Sequence, residues 1–162
     1  MPMIQPLDPG TDLPLVAAFY SEAADYWLLA DRKVPDAAKA QAFFTDGPPG
    51  CDPALSHRLG LFAEGRLSGM AELSFGFPAP GDAYLGLMLL APYLRGAGHG
   101  AGFLAHVETL ARARPATYLF LAVLDANPRG RTFWHRHGFI ATGHSGVDVA
   151  TGHRLHRLVK PL

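Results

Sequence analysis

The sequence has little of several features that would assign it to a class of protein. Its single cysteine, Cys51, excludes a disulfide within the chain and is typical of a reducing compartment. The 14 Lys and Arg residues balance the 14 Asp and Glu residues, which gives no bulk attraction for nucleic acid or acidic membranes. No apolar run approaches the roughly 18 residues of a membrane span, and no secretory signal pattern opens the sequence. We therefore expect a cytoplasmic protein with no nucleic-acid or membrane partner.

What is present predicts one domain that mixes helices and strands. A chain of 162 residues with 49% hydrophobic content suits a single domain over residues 1–162. Turn residues and apolar periodicity predict strands at 3–7, 57–63, 66–77, 84–90, 118–124, 139–142 and 153–159. Helices are predicted after Thr11 or Asp12, at 35–44, after the glycines near 100, and at 129–137.

A glycine-rich loop lies between an apolar strand and an amphipathic helix. The loop Arg95–Gly100 reads RGAGHG, and the helix after it places Phe103, Val107 and Ala111 on one stripe. Glycines allow close backbone approach, and a helix start offers free N–H groups to an anion. The pattern therefore indicates a phosphate or pyrophosphate site, although a flexible turn would use the same glycines.

Known nucleotide loops fit this segment poorly. The NTPase loop needs Lys followed by Ser or Thr after its glycines, and neither pair follows here. Gly96, Gly98 and Ala101 form only a degenerate dinucleotide fingerprint.

A second segment, Asn127 to Phe139, makes the interpretation of the loop more specific. Together the two segments resemble the GNAT family of acyl-CoA-dependent N-acyltransferases. Arg95–Gly100 looks like the family's pyrophosphate loop Q/R-x-x-G-x-G/A, and Asn127–Phe139 is similar to its N-x-x-A-x-x-F/L-Y-x-x-x-G-F run. The two segments also have the family's spacing, with one helix and one strand between them.

This resemblance implies a fold, a co-substrate and a set of contacts. The expected fold is α/β (α+β), with a mixed, mostly antiparallel sheet of 6–7 strands, about four helices and a splay between the two central strands. Acetyl-CoA is the implied co-substrate, without a metal. The residues implied to contact it are Leu89, Leu90, Arg95, Gly96, Ala97, Gly98, His99, Gly100, Asn127, Phe133 and Trp134. Asn127 also fits a helix N-cap before Pro128.

Two residues depart from the family pattern. Gly130 stands where Ala is usual, and Trp134 stands where many members have the Tyr that protonates the leaving thiolate. An indole N–H is not an acid near neutral pH, so that role does not transfer to Trp134.

The general base is the least specified part of the chemistry. An amine is mostly protonated at pH 7, so a base or a water relay is expected. The predicted central strand has no carboxylate, which leaves Glu72, Asp125 and Tyr84 as candidates. Histidines offer no metal spacing, because His135 and His137 lie on different helix faces.

Three functions remain compatible with the sequence. The first is acetyl transfer from acetyl-CoA to a primary amine of a small molecule or protein, by direct attack in a ternary complex. The second is a CoA-binding regulatory or interaction domain with little turnover, and the third is a nucleotide-binding module. A homodimer is compatible with each of them. The aromatic residues of the first helical region and the segment His153–Arg157 are candidates for an acceptor-pocket wall.

Overall fold

The computed structural model describes residues 2–162, whose strands form one seven-stranded sheet in the order β1-β2-β3-β4-β5-β7-β6. The strands are β1 (Met3–Pro6), β2 (His57–Ala63), β3 (Arg66–Phe75), β4 (Ala83–Leu90), β5 (Tyr118–Leu124), β6 (Ile140–Val147) and β7 (Arg154–Pro161).

Five α-helices pack on the sheet. They are α1 (Leu13–Glu22), α2 (Ala24–Asp31), α3 (Ala37–Ala42), α4 (His99–Ala113) and α5 (Pro128–Arg136), with short 3₁₀ turns at Pro53–Leu55 and Pro92–Leu94. The expectation of about four helices is close. The first predicted helix is two helices, because the backbone leaves helical geometry at Ala23 (φ −97°, ψ 25°).

The sheet opens between β4 and β5, its one parallel pair among the described residues. These strands pair only at Ala83 with Leu119 and at Tyr84 with Phe120, and no pairing continues toward Leu90 and Leu124. The other neighbouring strands are antiparallel. The mixed, mostly antiparallel sheet with a central splay is therefore confirmed.

Two apolar cores occupy opposite faces of the sheet. The first lies under α4, whose Phe103, Val107 and Ala111 are fully buried, as the predicted stripe requires. The second joins helices α1 to α3 to the other face through Phe19, Trp27 and other buried side chains. Polar side chains on that second face are the ones that matter for the site.

The end of the sheet differs from the sequence prediction. The strand predicted at 139–142 extends to Val147, and its eight residues are exposed. β7 begins at Arg154, so His153 precedes the strand, where its Nε2 lies 2.7 Å from the carbonyl oxygen of Leu29. β7 is an inner strand and β6 is the edge. Among residues 2–162, every helix is too short or too polar to cross a bilayer.

Candidate active site

A cleft of about 1150 Å³ opens along the splay between β4 and β5. One part, here called the loop end, is lined by the glycine loop, the start of α4 and residues of α5. The other part, the Glu72 end, is lined by side chains from β2, β3, β4 and β7 and from helices α2 and α3. The two motifs and the base candidate Glu72 therefore meet in one cavity.

At the loop end, the glycine backbone presents the start of α4 to the cleft. Gly96 and Gly98 have φ of 81° and 86°, a region that favours glycine, and α4 begins at His99. Gly100 lies against the Phe133 ring, where a Cβ would approach Cε1 to 3.0 Å. The free N–H groups and positive dipole end of this helix suit a diphosphate.

The predicted loop residues do not all reach the cavity. Those that line it are Leu89, Leu90, Arg95, Gly96, Gly98 and Gly100, joined by Ala101. Ala97 is exposed and His99 is half-buried, and neither lines the cleft. Their contact with a co-substrate stays a prediction.

Arg95 is already engaged in the fold. Its Nε donates to the carbonyl of Leu90 at 3.0 Å, and its Nη1 lies 2.5 Å from the Asp25 carboxylate. That hydrogen bond lowers the pKa of Asp25. Arg95 thus ties the end of β4 to α2.

Two arginines that the sequence reasoning did not single out supply positive charge at the loop end. Arg129 and Arg136 of α5 line the main cleft and also border a second cavity of about 420 Å³ beside Gly96. Neither forms an ion pair within residues 2–162. Their spacing of seven residues places them on one face of a helix. This spacing is the sequence pattern from which the pair could have been predicted.

The start of α5 explains the glycine at position 130. Asn127 caps the helix, its Oδ1 accepting from the Gly130 amide at 3.0 Å. A Cβ on Gly130 would collide with the Asn127 side chain. Asn127 also lines the cleft, so capping and a co-substrate contact are compatible.

Phe133 and Trp134 form an aromatic wall of the cleft. Their rings meet edge-on with centroids 4.9 Å apart, and Trp134 packs on Phe139 at 5.4 Å. The indole is half-buried and serves packing.

Glu72 dominates the other end of the cleft. Its side chain is 6% exposed and accepts a hydrogen bond from the Ser74 hydroxyl, and Arg58 Nη2 lies 3.5 Å from its Oε1. Burial raises the pKa of Glu72, while Ser74, Arg58 and the Gly86 backbone oppose that rise. A buried carboxylate with a raised pKa is suited to accept a proton near neutral pH.

Glycine at position 86 makes room for this carboxylate. A register irregularity brings Glu72 opposite Leu87 while Leu73 lies opposite Leu85, which leaves Gly86 between them. A Cβ on Gly86 would collide with the Glu72 carboxylate. Sequence reasoning missed this positioning role, although a lone glycine inside an apolar strand is a signal for a bulge or close approach.

Arg58 connects several segments at the Glu72 end of the cleft. Its Nη1 donates to the carbonyls of Phe43 at 2.6 Å and Asp46 at 2.5 Å, and its Nε donates to Ser56 Oγ at 2.8 Å. Its buried Nη2 has no hydrogen-bond partner among the described residues. No local pattern marks Arg58, because its link to Glu72 depends on the pairing of β2 with β3.

The other base candidates are placed differently. Asp125 is half-exposed outside the cleft lining, 2.5 Å from His156 Nε2 and 3.2 Å from Arg131 Nη1. Tyr84 lines the cleft, where burial raises the pKa of its hydroxyl. The structure thus brings Glu72 and Tyr84, but not Asp125, to the cavity; a role for Asp125 stays a prediction.

Aromatic side chains of the helical region form much of the remaining wall. Those that line the cleft are Tyr20, Tyr26, Trp27 and Phe43, whereas Phe44 packs beside them without lining it. Within residues 2–162, no cluster of three His, Cys, Asp or Glu side chains has an arrangement that could hold a metal ion.

A sheet that splays between two parallel strands, with a glycine loop and helix start at the opening, is the architecture of acyl-CoA-dependent transferases. The chain belongs to the acetyltransferase (GNAT) family, whose model matches residues 17–139, and it is a GNAT N-acetyltransferase. This family uses acetyl-CoA. No curated protein matches the chain in sequence.

Solved structures share the fold over the whole chain. An acetyltransferase from Thermus thermophilus is 23% identical, with a TM-score of 0.77 and coverage of 100% of this chain and 97% of that one. The PaiA N-acetyltransferase from Thermoplasma acidophilum, in complex with coenzyme A, is 17% identical, with a TM-score of 0.73 and coverage of 100% and 99%. A ribosomal-protein-alanine N-acetyltransferase from Brucella melitensis is 22% identical, with a TM-score of 0.74 and coverage of 99% of each chain.

Proposed function

We propose that residues 1–162 act as one domain that transfers an acetyl group from acetyl-CoA to a primary amine by direct attack in a ternary complex. The observation that carries this proposal is that Glu72 and the start of α4 line the same cleft. A proton acceptor and a diphosphate site in one cavity are what direct transfer requires. The complex between coenzyme A and the Thermoplasma PaiA enzyme, which has the same fold, supports the choice of donor.

Backbone groups of the loop end are proposed to hold the diphosphate of the donor. The amides at Gly98, Gly100 and Ala101 would face it, with Arg129 and Arg136 adding positive charge from α5. The unpaired ends of β4 and β5 offer Leu89 and Leu90 backbone groups to the pantetheine arm. A strand-end amide there would polarise the thioester carbonyl.

Glu72 is proposed to remove the proton of the attacking amine, through one water where direct reach is lacking. The amine nitrogen bonds to the acetyl carbon, and the bond from that carbon to sulfur breaks. The ammonium proton passes to Glu72, and the thiolate leaves with the electron pair of the broken bond. Arg58 and Ser74 hold the carboxylate in position for this transfer.

Trp134 is proposed to pack against the donor without giving a proton. A thiolate with an ordinary thiol pKa near 8.5 is a tolerable leaving group, so it can take its proton from water. Because no side chain is assigned as acid, a CoA-binding regulatory domain is the second candidate, and Trp134 is the residue that favours it.

The acceptor class is proposed as a small-molecule or protein amine, and a homodimer is compatible with either.

Initial rates measured against both substrates test direct transfer. We expect intersecting double-reciprocal lines and no acetylated enzyme by intact mass spectrometry. Parallel lines with an acetyl-enzyme would contradict direct attack. CoA binding without transfer to any amine would establish the regulatory function instead.

A further inference from the structure

Polar and aromatic side chains cross one face of the sheet from β2 to β7. Strand pairing places Arg58 opposite Glu72, Ser74 opposite Tyr84, and Ala122 opposite Arg157. Paired residues share a face, and this is the face that carries helices α1 to α3. Glu72 and Arg157 therefore lie on the same wall, three strand positions apart, or about 14 Å between backbones.

Arg157 differs from the other cations around this end of the cleft. Lys39 lies 3.0 Å from Asp31, and Arg95 lies 2.5 Å from Asp25. Arg157 lines the cleft with its guanidinium 5.1 Å from the centroid of the Phe77 ring. It makes no ion pair with the rest of residues 2–162.

The long side chain of Arg157 reaches Phe77, in the segment that follows β3. Phe77, on which the guanidinium stacks, follows shortly after β3, the strand of Glu72. Tyr84 packs against the other side of this contact, with its ring centroid 5.3 Å from that of Phe77. An acceptor seated beside Tyr84 would meet a carboxylate on one side and a guanidinium on the other.

A buried donor without a hydrogen-bond partner also favours an acceptor that carries a negatively charged group. Nε1 of Trp27 is a buried donor with no hydrogen-bond partner among the described residues, whereas Nη2 of Arg58, which also makes no hydrogen bond, lies 3.5 Å from Glu72 Oε1; both side chains line the cleft. The carboxylate of Asp148, which also borders the cleft, already accepts from Ala150 N and Thr151 Oγ1. Trp27 Nε1 is thus a free donor at this end, beside the exposed Asp46 carboxylate, which also borders the cleft.

We propose that the acceptor is a primary amine that also bears a carboxylate, of the amino-acid class, and that Arg157 binds this carboxylate. The planar guanidinium fork matches a carboxylate in two parallel hydrogen bonds, and a single cation suits a single negative charge. The amine then lies toward Glu72. Each charged group of the acceptor therefore faces a side chain of opposite charge. This inference rests on the proposed acetyl transfer and names its substrate class.

Acetylation of matched acceptors tests the assignment. The standard L-amino acids are compared with the amines left by their decarboxylation, using wild-type protein, Arg157→Gln and Arg157→Lys. Arg154→Gln is the control, since it removes an exposed charge of the same strand outside the cleft. We expect kcat/KM for the preferred amino acid to exceed that of its amine by about 10–100-fold. Arg157→Gln should abolish this preference by lowering kcat/KM for the amino acid far more than for the amine, Arg157→Lys should restore part of it, and Arg154→Gln should preserve it.

Binding of a carboxylate that has no amine separates this inference from the proposed function. Titration of CoA-saturated protein with 3-phenylpropanoate, acetate and the amide of 3-phenylpropanoate should show binding of the carboxylates only, lost in Arg157→Gln. Carboxylate binding without transfer to any amine would refute acetyl transfer and leave the Arg157 site standing. Equal turnover of amino acids and their amines, or an equal loss of both in Arg157→Gln, would overturn the Arg157 site and leave acetyl transfer standing.

Discussion

Burial of Glu72 suits proton transfer because it raises the carboxyl pKa from its ordinary range toward neutral pH. Arg58 limits that rise, and Arg58 is itself fixed by the carbonyls of Phe43 and Asp46. The pair therefore keeps the carboxylate both ionisable and stationary. Glu64, in the turn between β2 and β3, is by contrast an exposed carboxylate.

The pH dependence of kcat/KM distinguishes Glu72 from bulk water as base. Below the raised pKa of Glu72, both the carboxyl and the amine must lose a proton, so log kcat/KM rises with a slope of about two per pH unit. Above that pKa the slope falls to about one, until the amine pKa is reached. We expect Glu72→Gln to show a slope of about one throughout and at least a tenfold lower rate near pH 7, since loss of a general base costs about 10²–10⁴-fold.

Glu64→Gln provides the matched control, because it makes the same change on an exposed turn. A Glu72→Gln rate within about twofold of wild type at every pH would exclude Glu72. The proton acceptor would then be solvent or one of the other two candidates, Tyr84 in the cleft or Asp125 outside its lining.

The sequence identifies some of these residues and not others, for a physical reason. Alternation of Met70, Glu72 and Ser74 predicts that Glu72 and Ser74 share a face, because strand periodicity is local. Arg58 reaches Glu72 only through pairing of β2 with β3, which no local pattern encodes. Arg95 fits a pyrophosphate loop by position, yet its contact with Asp25 bridges residues 70 apart in the chain.

At the scale of elements, the start of α4 is the part most fully predicted from sequence. Glycine spacing and the apolar stripe locate a loop and a helix with no reference to distant residues, and both are found where expected. The strands after α5 were less well predicted. β6 is longer than expected because its length is set by pairing with β7, while its own sequence is polar and rich in glycine.

A carboxylate in the first turn of α4 should separate helix stability from anion binding. Ala101→Asp places a negative charge in the cleft at the helix N-terminus, which favours the helix but repels a diphosphate. We expect the Kd for CoA, measured by calorimetry, to rise at least tenfold with no loss of thermal stability. Ala101→Asn keeps the size without the charge and should change the Kd much less.

Gly102→Asp is the positional control for this experiment. It adds the same charge one residue later, where a Cβ meets nothing within 4 Å and the residue does not line the cleft. If Ala101→Asp and Gly102→Asp weaken CoA equally, or neither does, the diphosphate is not bound at the start of α4.

At the scale of the whole molecule, the cleft is bordered by elements from both sides of the splay and from the helices on the sheet. Its walls come from β4 and β5, from α2 on one face and from α5 beyond the splay. A ligand that fills this cavity contacts all of them at once, so its binding should oppose global unfolding. Ligand at about 100 times its Kd stabilises a protein by about 2.7 kcal/mol.

We expect CoA at that saturation to raise Tm by about 5–10 °C for a chain of this size, measured by scanning calorimetry. Pantetheine, which lacks the diphosphate, should raise Tm less at equal concentration. The shift with CoA should be largely lost in Ala101→Asp. An equal rise with ATP or NAD would indicate a nucleotide site instead of an acyl-CoA site.

The inner position of β7 has a consequence for how the chain assembles during synthesis. β6 leaves the ribosome before β7, yet its neighbour in the sheet is β7, which also covers the edge of β5. Until β7 inserts, the nascent chain therefore exposes the hydrogen-bonding edge of an apolar strand, a template for aggregation. The strand that carries Arg157 thus also covers the exposed edge of β5 when it joins the sheet.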